Sequence, residues 1–135
     1  MVSQNDRLCP CDSGREYDRC CGPYLAGIQK APTAELLMRS RYTAYVEGNE
    51  DYLSETWHSD FRPDTIEAVG GEKWLGLKVR RIEAGGPEDS EGEVEFVARF
   101  KIDGEGHRLH EISRFVRLGS CWLYTSGELI QDSKR

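Results

Sequence analysis

The sequence predicts an α+β fold preceded by a small cysteine-rich segment. Three observations lead to this prediction: a helical period of apolar residues in the first half, a period of two in the second half, and four of the five cysteines gathered within residues 9–21. A run of helices followed by a run of strands is typical of the α+β class. A length of 135 residues favours one domain with a small appendage.

The cysteine-rich segment pairs Cys9 with Cys11 and, after an eight-residue spacer, Cys20 with Cys21. A disulfide within either close pair would be strained, whereas bridges between the two pairs are geometrically feasible. Four thiolates in two close pairs can also supply the tetrahedral sulfur set that Zn²⁺ binds at about 2.3 Å. A reactive thiol pair is the third interpretation. The spacing alone favours a structural metal and leaves the other two interpretations open.

The spacer between the two cysteine pairs is suited to a reversal of the chain. Asp12 and Ser13 favour an Asx-type turn, and Gly14 tolerates a positive φ. Residues 15–19 can then form about one helical turn that delivers the second cysteine pair. The arginines expected to offset the negative charge of the thiolates are Arg7, Arg15 and Arg19.

Helices are predicted in the segment that follows. The first helix should start at Thr33, a favourable N-cap residue, and run to about Glu47, where Gly48 supplies a stop signal. A second helix is expected over residues 50–57, and residues 65–77 have room for a third short one. The apolar face expected to pack on the core consists of Met38, Tyr42 and Tyr45.

The second half of the chain changes period and predicts four antiparallel strands. Glycine-containing turns separate the segments 74–84, 92–103, 107–118 and 121–129. Apolar side chains alternate with mostly charged ones over residues 94–102, the pattern of a strand with one face against a core. Helices packed on a sheet of about four strands are therefore expected.

The N-terminal motif, CPCDSGREYDRCCG, resembles the SEC-C motif, a small zinc-binding module with the pattern C-P-C-G-S-G-x₅-C-[HC]. Asp12 stands where that motif usually has glycine, a departure that leaves the ligand positions intact. The resemblance implies a Zn²⁺ cofactor and, because SEC-C modules elsewhere contact other proteins, a protein partner for this segment. The zinc ligands that the resemblance implies are Cys9, Cys11, Cys20 and Cys21.

The rest of the chain resembles the YchJ family of small bacterial proteins. The segments LMRSRYTAYVEGNEDYLSETWH, EVEFVARF, LHEISRFVR and CWLYTSGEL carry the resemblance, and residues 59–61 depart from the family pattern. The resemblance implies a cone-shaped nuclear transport factor 2-like domain, in which helices pack into the concavity of a curved antiparallel sheet. We therefore expect a SEC-C-like motif with the start of a linker in residues 1–28 and a nuclear transport factor 2-like domain in residues 29–135.

Composition narrows the possible partners. The formal net charge is −6, so free nucleic acid is not expected, because phosphate binding needs a positive surface. No apolar run approaches the roughly 18 residues that span a bilayer, so a membrane is not expected either. The first residues lack the basic and apolar regions of a secretory signal. We predict a cytoplasmic protein, whose reducing surroundings disfavour structural disulfides.

Two functions are compatible with the sequence. The favoured one is a non-catalytic adaptor whose zinc motif contacts a protein partner, since a closed four-sulfur site keeps no open coordination position. The alternative is an isomerase, dehydratase or hydrolase that uses the cavity of the cone, with Glu111, Arg99 and His58 as the first candidates. A small ligand in that cavity is compatible with either function, and redox sensing through zinc release is a third, weaker idea.

Some polar residues of the predicted domain are ambiguous. His110 and Glu111 are neighbours in a strand and must point to opposite faces, but the pattern does not show which face is inside. Glu111 could pair with Arg39 or Arg41 of the first helix, and a structural ion pair is favoured over catalysis. Cys121 is expected to be a half-buried small residue and not a fifth metal ligand.

Overall fold

A computed structural model describes residues 7–66 and 72–130. In these two ranges helices come first and a four-stranded antiparallel sheet follows, so the predicted α+β class is confirmed. None of the helices within the described ranges is long and apolar enough to cross a membrane. In chain order the elements are a 3₁₀ turn at Tyr17–Arg19, helix α1 at Gly22–Leu25, α2 at Ala34–Glu47, α3 at Glu50–Glu55, and strands β1 at Lys73–Ala84, β2 at Glu91–Ile102, β3 at Glu105–Leu118 and β4 at Cys121–Leu129.

Helix α2 begins and ends where the sequence predicts. The Oγ1 of Thr33 accepts a hydrogen bond from the Leu36 amide at 3.1 Å, which is the expected N-cap interaction. Gly48 has a φ of 71°, the left-handed conformation that ends a helix without strain when the residue is glycine. Asn49 belongs to the stop and also caps α3, because its side chain accepts from the Tyr52 amide at 3.0 Å.

The strands pair in chain order, β1-β2-β3-β4, and each pair of neighbours is antiparallel. Val94, Phe96 and Ala98 of β2 are buried, as the alternation predicts, and they mark the inner face of the sheet, which packs on α2. Phe96 lies opposite Glu111 of β3. The inner face therefore carries Glu111, and the outer face carries His110.

The sequence allowed residues 74–77 to belong either to a third short helix or to the first strand, and the structure confirms the strand. Residues 73–77 begin β1, and Leu77 lies opposite Ala98 in the ladder with β2. This pairing buries the Leu77 side chain against the core, and such tertiary packing outweighs a weak local helical preference. Residues 67–71 lie outside the described part of the chain.

One hydrophobic core joins α2, the inner face of the sheet and the cysteine-rich segment. The core is continuous, because the four N-terminal cysteines belong to the same cluster of buried side chains as the residues of α2 and β2. The indole of Trp122 connects β4 to the start of α2 by donating to the Pro32 carbonyl at 3.1 Å. Besides the cysteines, the core includes Leu37, Met38, Tyr42, Leu77, Val94, Phe96, Ala98, Phe115 and Trp122.

The start of α2 lies against the β1–β2 hairpin at a close approach. The Ala34 amide donates to the Gly85 carbonyl at 2.9 Å. A Cβ built on Gly92 would lie 2.5 Å from the Gly85 Cα and 3.2 Å from the Ala34 Cβ. Because the nearest of these atoms is the Gly85 backbone, a larger residue at position 92 would have to push apart the two arms of the hairpin and would also press on Ala34 of the helix.

We expect Gly92→Ala to destabilise the protein by about 1–3 kcal/mol, the usual cost of overpacking. The free energy of unfolding from urea titration measures the effect. Gly106→Ala is the matched control, because Gly106 also lies in a strand and no atom lies within 4 Å of an added Cβ there. Equal stability of the two variants would contradict the close approach.

Candidate metal centre

Four sulfur atoms form a compact cluster at the N-terminal end of the described chain. The Sγ atoms of Cys9, Cys11, Cys20 and Cys21 all lie within 4.8 Å of one another, and all four residues are buried. Cys11 and Cys20 are separated by 3.5 Å, and Cys20 and Cys21 by 4.0 Å, measured between sulfurs. Four sulfurs arranged tetrahedrally at about 2.3 Å from a zinc ion would be about 3.8 Å apart. The cluster therefore fits a metal site.

The chain builds this cluster by folding back on itself over residues 8–22, a segment that we call the knot. The Cys9 amide donates to the Arg15 carbonyl at 2.8 Å, which holds the two arms of the knot together. Asp12 and Gly14 have φ values of 62° and 84°, so the predicted reversal and the positive φ of Gly14 are confirmed. The local side-chain hydrogen bond of the turn is made by Ser13, whose Oγ accepts from the Arg15 amide at 3.2 Å, and not by Asp12. The predicted helical turn is confirmed as the 3₁₀ turn, which ends immediately before Cys20.

The knot is docked on the domain. The Arg39 Nη1 of α2 donates to the Cys11 carbonyl at 2.8 Å, and the Cys9 sulfur lies 3.7 Å from the Oγ1 of Thr43. Both contacts come from the same side of α2, since the two helix residues are four positions apart. Together with the shared core, these contacts fix the knot against α2.

Asp12 connects the knot to the sheet. Its carboxylate Oδ2 accepts a hydrogen bond from the Leu77 amide at 2.9 Å. A Cβ at Gly76 would lie 2.9 Å from the same oxygen, so a glycine in β1 leaves the space that the carboxylate occupies. The positive φ of Asp12 explains why glycine is usual at this position, and aspartate is one of the few other residues that tolerate it.

The cation beside the sulfur cluster is Arg39, which the sequence analysis did not propose for this role. Burial opposes its charge, but the hydrogen bond to Glu35 and the charge of Cys11 raise the pKa of Arg39 above its ordinary value. Of the arginines expected there, Arg7 instead pairs with Glu47 at 3.1 Å, and Arg19 lies 3.9 Å from Glu16. Proximity in sequence did not predict this contact, because Arg39, which donates to the Cys11 carbonyl, follows Cys11 by 28 positions.

The cysteines do not titrate alike. Hydrogen bonds with Cys21 and Cys9 lower the pKa of the Cys11 thiol, whereas hydrogen bonds with Cys11 and Cys9 raise the pKa of the Cys21 thiol. Burial is the main reason that the pKa of Cys20 is raised to about 11. The raised pKa values of Cys20 and Cys21 oppose four negative charges at this site when no cation is bound. Holding all four as thiolates requires a positive charge at the centre, which a bound metal supplies.

Cys121 lies apart from this cluster. It begins β4, is half-buried, and does not belong to the group of sulfurs that could hold a metal ion within the described residues. All five cysteines are free thiols.

A second feature is a cavity of about 270 Å³ between α2 and the inner face of the sheet, which we call the inner cavity. Glu111 lines it, but Arg99 points to the outer face, one position after the buried Ala98. His58 follows α3 in a loop, where its amide donates to the Tyr124 carbonyl at 2.8 Å. The three residues suspected of catalysis are therefore not brought together.

Glu111 makes different contacts from those that the sequence suggested. Its Oε2 accepts from the Ser113 hydroxyl at 2.7 Å and from the Tyr124 hydroxyl at 3.3 Å. Arg39 points away from it, towards the knot. Arg41 does line the inner cavity with Glu111, although it forms its hydrogen bonds with α3 and the loop after it.

Comparisons with known proteins identify two segments. The family model described as "YchJ, middle NTF2-like domain" matches residues 33–127, and the SEC-C motif model matches residues 8–23. A UPF0225 protein of Chromobacterium violaceum is 53% identical over 123 residues, with 88% of this chain and 90% of that protein covered. A UPF0225 protein of Cupriavidus pinatubonensis is 47% identical over 131 residues, with 93% and 90% covered.

Two solved structures share the fold. The solution structure of RPA3114, a SEC-C motif containing protein from Rhodopseudomonas palustris, has a TM-score of 0.81 and 37% sequence identity, covering 91% of this chain and 98% of that one. The crystal structure of a SEC-C motif containing protein from Psychrobacter arcticus has a TM-score of 0.72 and 25% identity, covering 96% and 86%. Both comparisons extend over the knot and the domain together, since nearly the whole chain is covered.

We expect Asp12→Gly to loosen the knot from β1, because glycine suits the positive φ but removes the acceptor for the Leu77 amide. A hydrogen bond to a carboxylate contributes about 1.5–3 kcal/mol, so hydrogen exchange of that amide should accelerate by at least about tenfold. Asp12→Asn is the matched control, because it keeps an acceptor and tolerates the same φ. If the Leu77 amide exchanged equally fast in both variants, the Asp12 contact would have no structural role.

Proposed function

The chain belongs to the YchJ family, and from this premise we propose that it is a cytoplasmic, zinc-stabilised adaptor protein whose knot contacts a protein partner. In this proposal Zn²⁺ is bound by Cys9, Cys11, Cys20 and Cys21 and has a structural role. The nuclear transport factor 2-like domain serves as the platform on which the knot is held.

The choice of zinc is supported by the donor set and its environment. Four soft sulfur donors in a compact tetrahedral arrangement are typical of structural zinc sites, and four protein ligands leave no coordination position for a substrate. The sulfurs are buried in the core, so binding of the metal would contribute directly to folding free energy. Arg39 would offset part of the negative charge that remains on a zinc ion with four thiolates.

The observation that carries the adaptor proposal is that the knot is fixed on one side and exposed on the other. Arg39 and Asp12 hold its inner side, whereas residues 14–16 of its outer turn are exposed and the side chain of Arg19 is 81% exposed. Leu8, at the edge of the knot, is 68% exposed. A surface that is already rigid loses little conformational entropy when a partner binds it, which favours recognition.

The enzyme alternative receives less support. Acid–base catalysis needs two groups that converge on one cavity. Glu111 lines the inner cavity, but Arg99 and His58 do not line it. Burial, reinforced by the charge of Glu111, raises the pKa of Tyr124, which therefore stays a hydrogen-bond donor and does not act as a base near neutral pH. These contacts favour binding over chemistry in the cavity.

We expect the protein purified under reducing conditions to contain one zinc ion per chain, measured by inductively coupled plasma mass spectrometry. The double variant Cys20→Ser/Cys21→Ser should lose the metal, and its melting temperature should fall by about 10 °C, because the core then contains an incomplete metal site. Cys121→Ser is the control and should keep both metal and stability. A different metal, or full zinc content in the double variant, would contradict the assignment.

We expect a photo-crosslinking residue at position 15 in the knot to form a discrete adduct with one protein in a cell extract, and the same residue at position 80 in β1 to form none. Removal of zinc should abolish the adduct. With the purified partner, the variant Arg15→Glu/Arg19→Glu should bind at least about tenfold more weakly while its zinc content stays unchanged. If a folded, zinc-free protein still bound the partner, the adaptor proposal would be contradicted.

A further inference from the structure

The inner cavity has an aromatic wall and a polar end. It encloses about 270 Å³, close to the lower limit of the range usual for small-molecule sites, and its lining is mainly apolar. The aromatic side chains that line it include Tyr42, Tyr45, Trp57, Trp74, Phe96 and Tyr124. Such walls favour a flat, largely apolar molecule, because ring contacts add to the gain from burial.

Arg41 is fixed at the polar end. It is only 6% exposed, and its Nη1 donates to the Leu53 carbonyl at 2.9 Å and to the Thr56 Oγ1 at 2.7 Å. The guanidinium carbon lies 4.9 Å from the ring centroid of Trp57 and 4.6 Å from that of Tyr124. Its Nη2 and Nε donate to none of the described residues, so donor capacity remains on a rigid group.

The indole of Trp57 carries a buried donor without an acceptor. Its Nε1 is inaccessible to solvent and makes no hydrogen bond with the described residues. The main chain on either side of the ring is held to β4: the Tyr124 amide donates to the Thr56 carbonyl, and the His58 amide donates to the Tyr124 carbonyl, both at 2.8 Å. Buried polar groups are nearly always paired, so this N–H indicates a missing acceptor.

Glu111 supplies an acceptor at the same end of the cavity. Its Oε2 is engaged by Ser113 and Tyr124, while Oε1 accepts no hydrogen bond from the described residues. Trp57 and Glu111 both contact Tyr124, the first through ring packing at 5.0 Å and the second through the hydroxyl. Free donors and a free acceptor therefore lie around one tyrosine.

The charges around the cavity select against a charged ligand. The Arg41 guanidinium is positive, and the Glu111 carboxylate is negative. An anion would be opposed by the Glu111 carboxylate. A cation would lie near Arg41 and would leave the Trp57 N–H without an acceptor. A neutral group that both accepts and donates matches all the unpaired positions.

We propose that the inner cavity binds a small uncharged aromatic molecule that bears a carboxamide-type group. The carbonyl oxygen of the group accepts from Arg41 and, once the indole turns by a small angle so that its N–H faces the cavity, from Trp57 Nε1. The N–H of the group donates to Glu111 Oε1, and the ring of the molecule packs on the aromatic wall. This site is separate from the knot, so the ligand and the zinc-dependent partner can be tested independently.

Benzamide, benzoate and benzylamine are suitable probes, because they share a ring and differ in the charge of the attached group. The full-length, metal-loaded protein is titrated with each while the indole N–H signals are followed by two-dimensional NMR. With benzamide the Trp57 signal should shift saturably, whereas the Trp122 signal should not, because that N–H already donates to Pro32. Benzoate and benzylamine should bind at least about tenfold more weakly.

Two variants and one control separate the contributions of the Trp57 N–H and of the Glu111 charge to benzamide binding. Trp57→Phe keeps the ring and removes the donor, so benzamide affinity should fall by about tenfold. Trp122→Phe is the matched control outside the cavity and should bind benzamide as the wild type does. Glu111→Gln removes a negative charge at nearly constant shape. The ratio of the benzamide affinity to the benzoate affinity should therefore become smaller than in the wild type.

Three results would overturn the proposal. These are the absence of a saturable shift of the Trp57 signal with benzamide, binding of benzoate or benzylamine as tight as that of benzamide, and unchanged benzamide affinity in a folded Trp57→Phe. If Trp57→Phe does not fold, the titrations of the wild type with benzamide, benzoate and benzylamine still test the proposal. All of these measurements are made on the metal-loaded protein and none uses the partner of the knot, so this proposal can fail while the adaptor proposal stands.

Discussion

The burial of four cysteine sulfurs against α2 is the constraint on which the remaining structure depends. Thiolates are costly to bury without compensation, because the low dielectric of a core penalises uncompensated charge. Two features compensate this charge. Arg39 donates to the backbone carbonyl of Cys11, and the four sulfurs are arranged so that they fit a metal ion. The knot is therefore part of the core of the domain, although its residues come from the end of the chain.

Helix α2 contacts both the knot and the inner cavity, because its different sides face different parts of the fold. Arg39 and Thr43 face the knot, Met38 and Tyr42 face the core, and Arg41 reaches the polar end of the inner cavity. This division explains why a helix with two arginines and few strongly apolar residues is nevertheless largely buried. It also explains why the arginines of α2 are not interchangeable: each is fixed by hydrogen bonds to a different part of the fold.

Local patterns in the sequence predicted the local structure well. The Thr33 cap, the Gly48 stop, the chain reversal at Gly14 and the alternation in β2 all depend on residues close together in the chain, and all are confirmed. Contacts between distant segments were harder to predict. The Asp12–Leu77 hydrogen bond spans 65 positions, and no periodicity reports such a pair. The sequence left residues 74–77 open to both a short helix and a strand for the same reason, since only their pairing with β2 makes them a strand.

The account rests on a structural zinc ion held by four cysteine sulfurs inside the core. Zinc K-edge X-ray absorption of the purified protein tests this most directly, because it reports both the type and the number of the ligand atoms. The account predicts four sulfur neighbours at about 2.3 Å and no nitrogen or oxygen ligand. A first shell with fewer than four sulfurs, or with an oxygen or nitrogen ligand, would contradict a closed structural site.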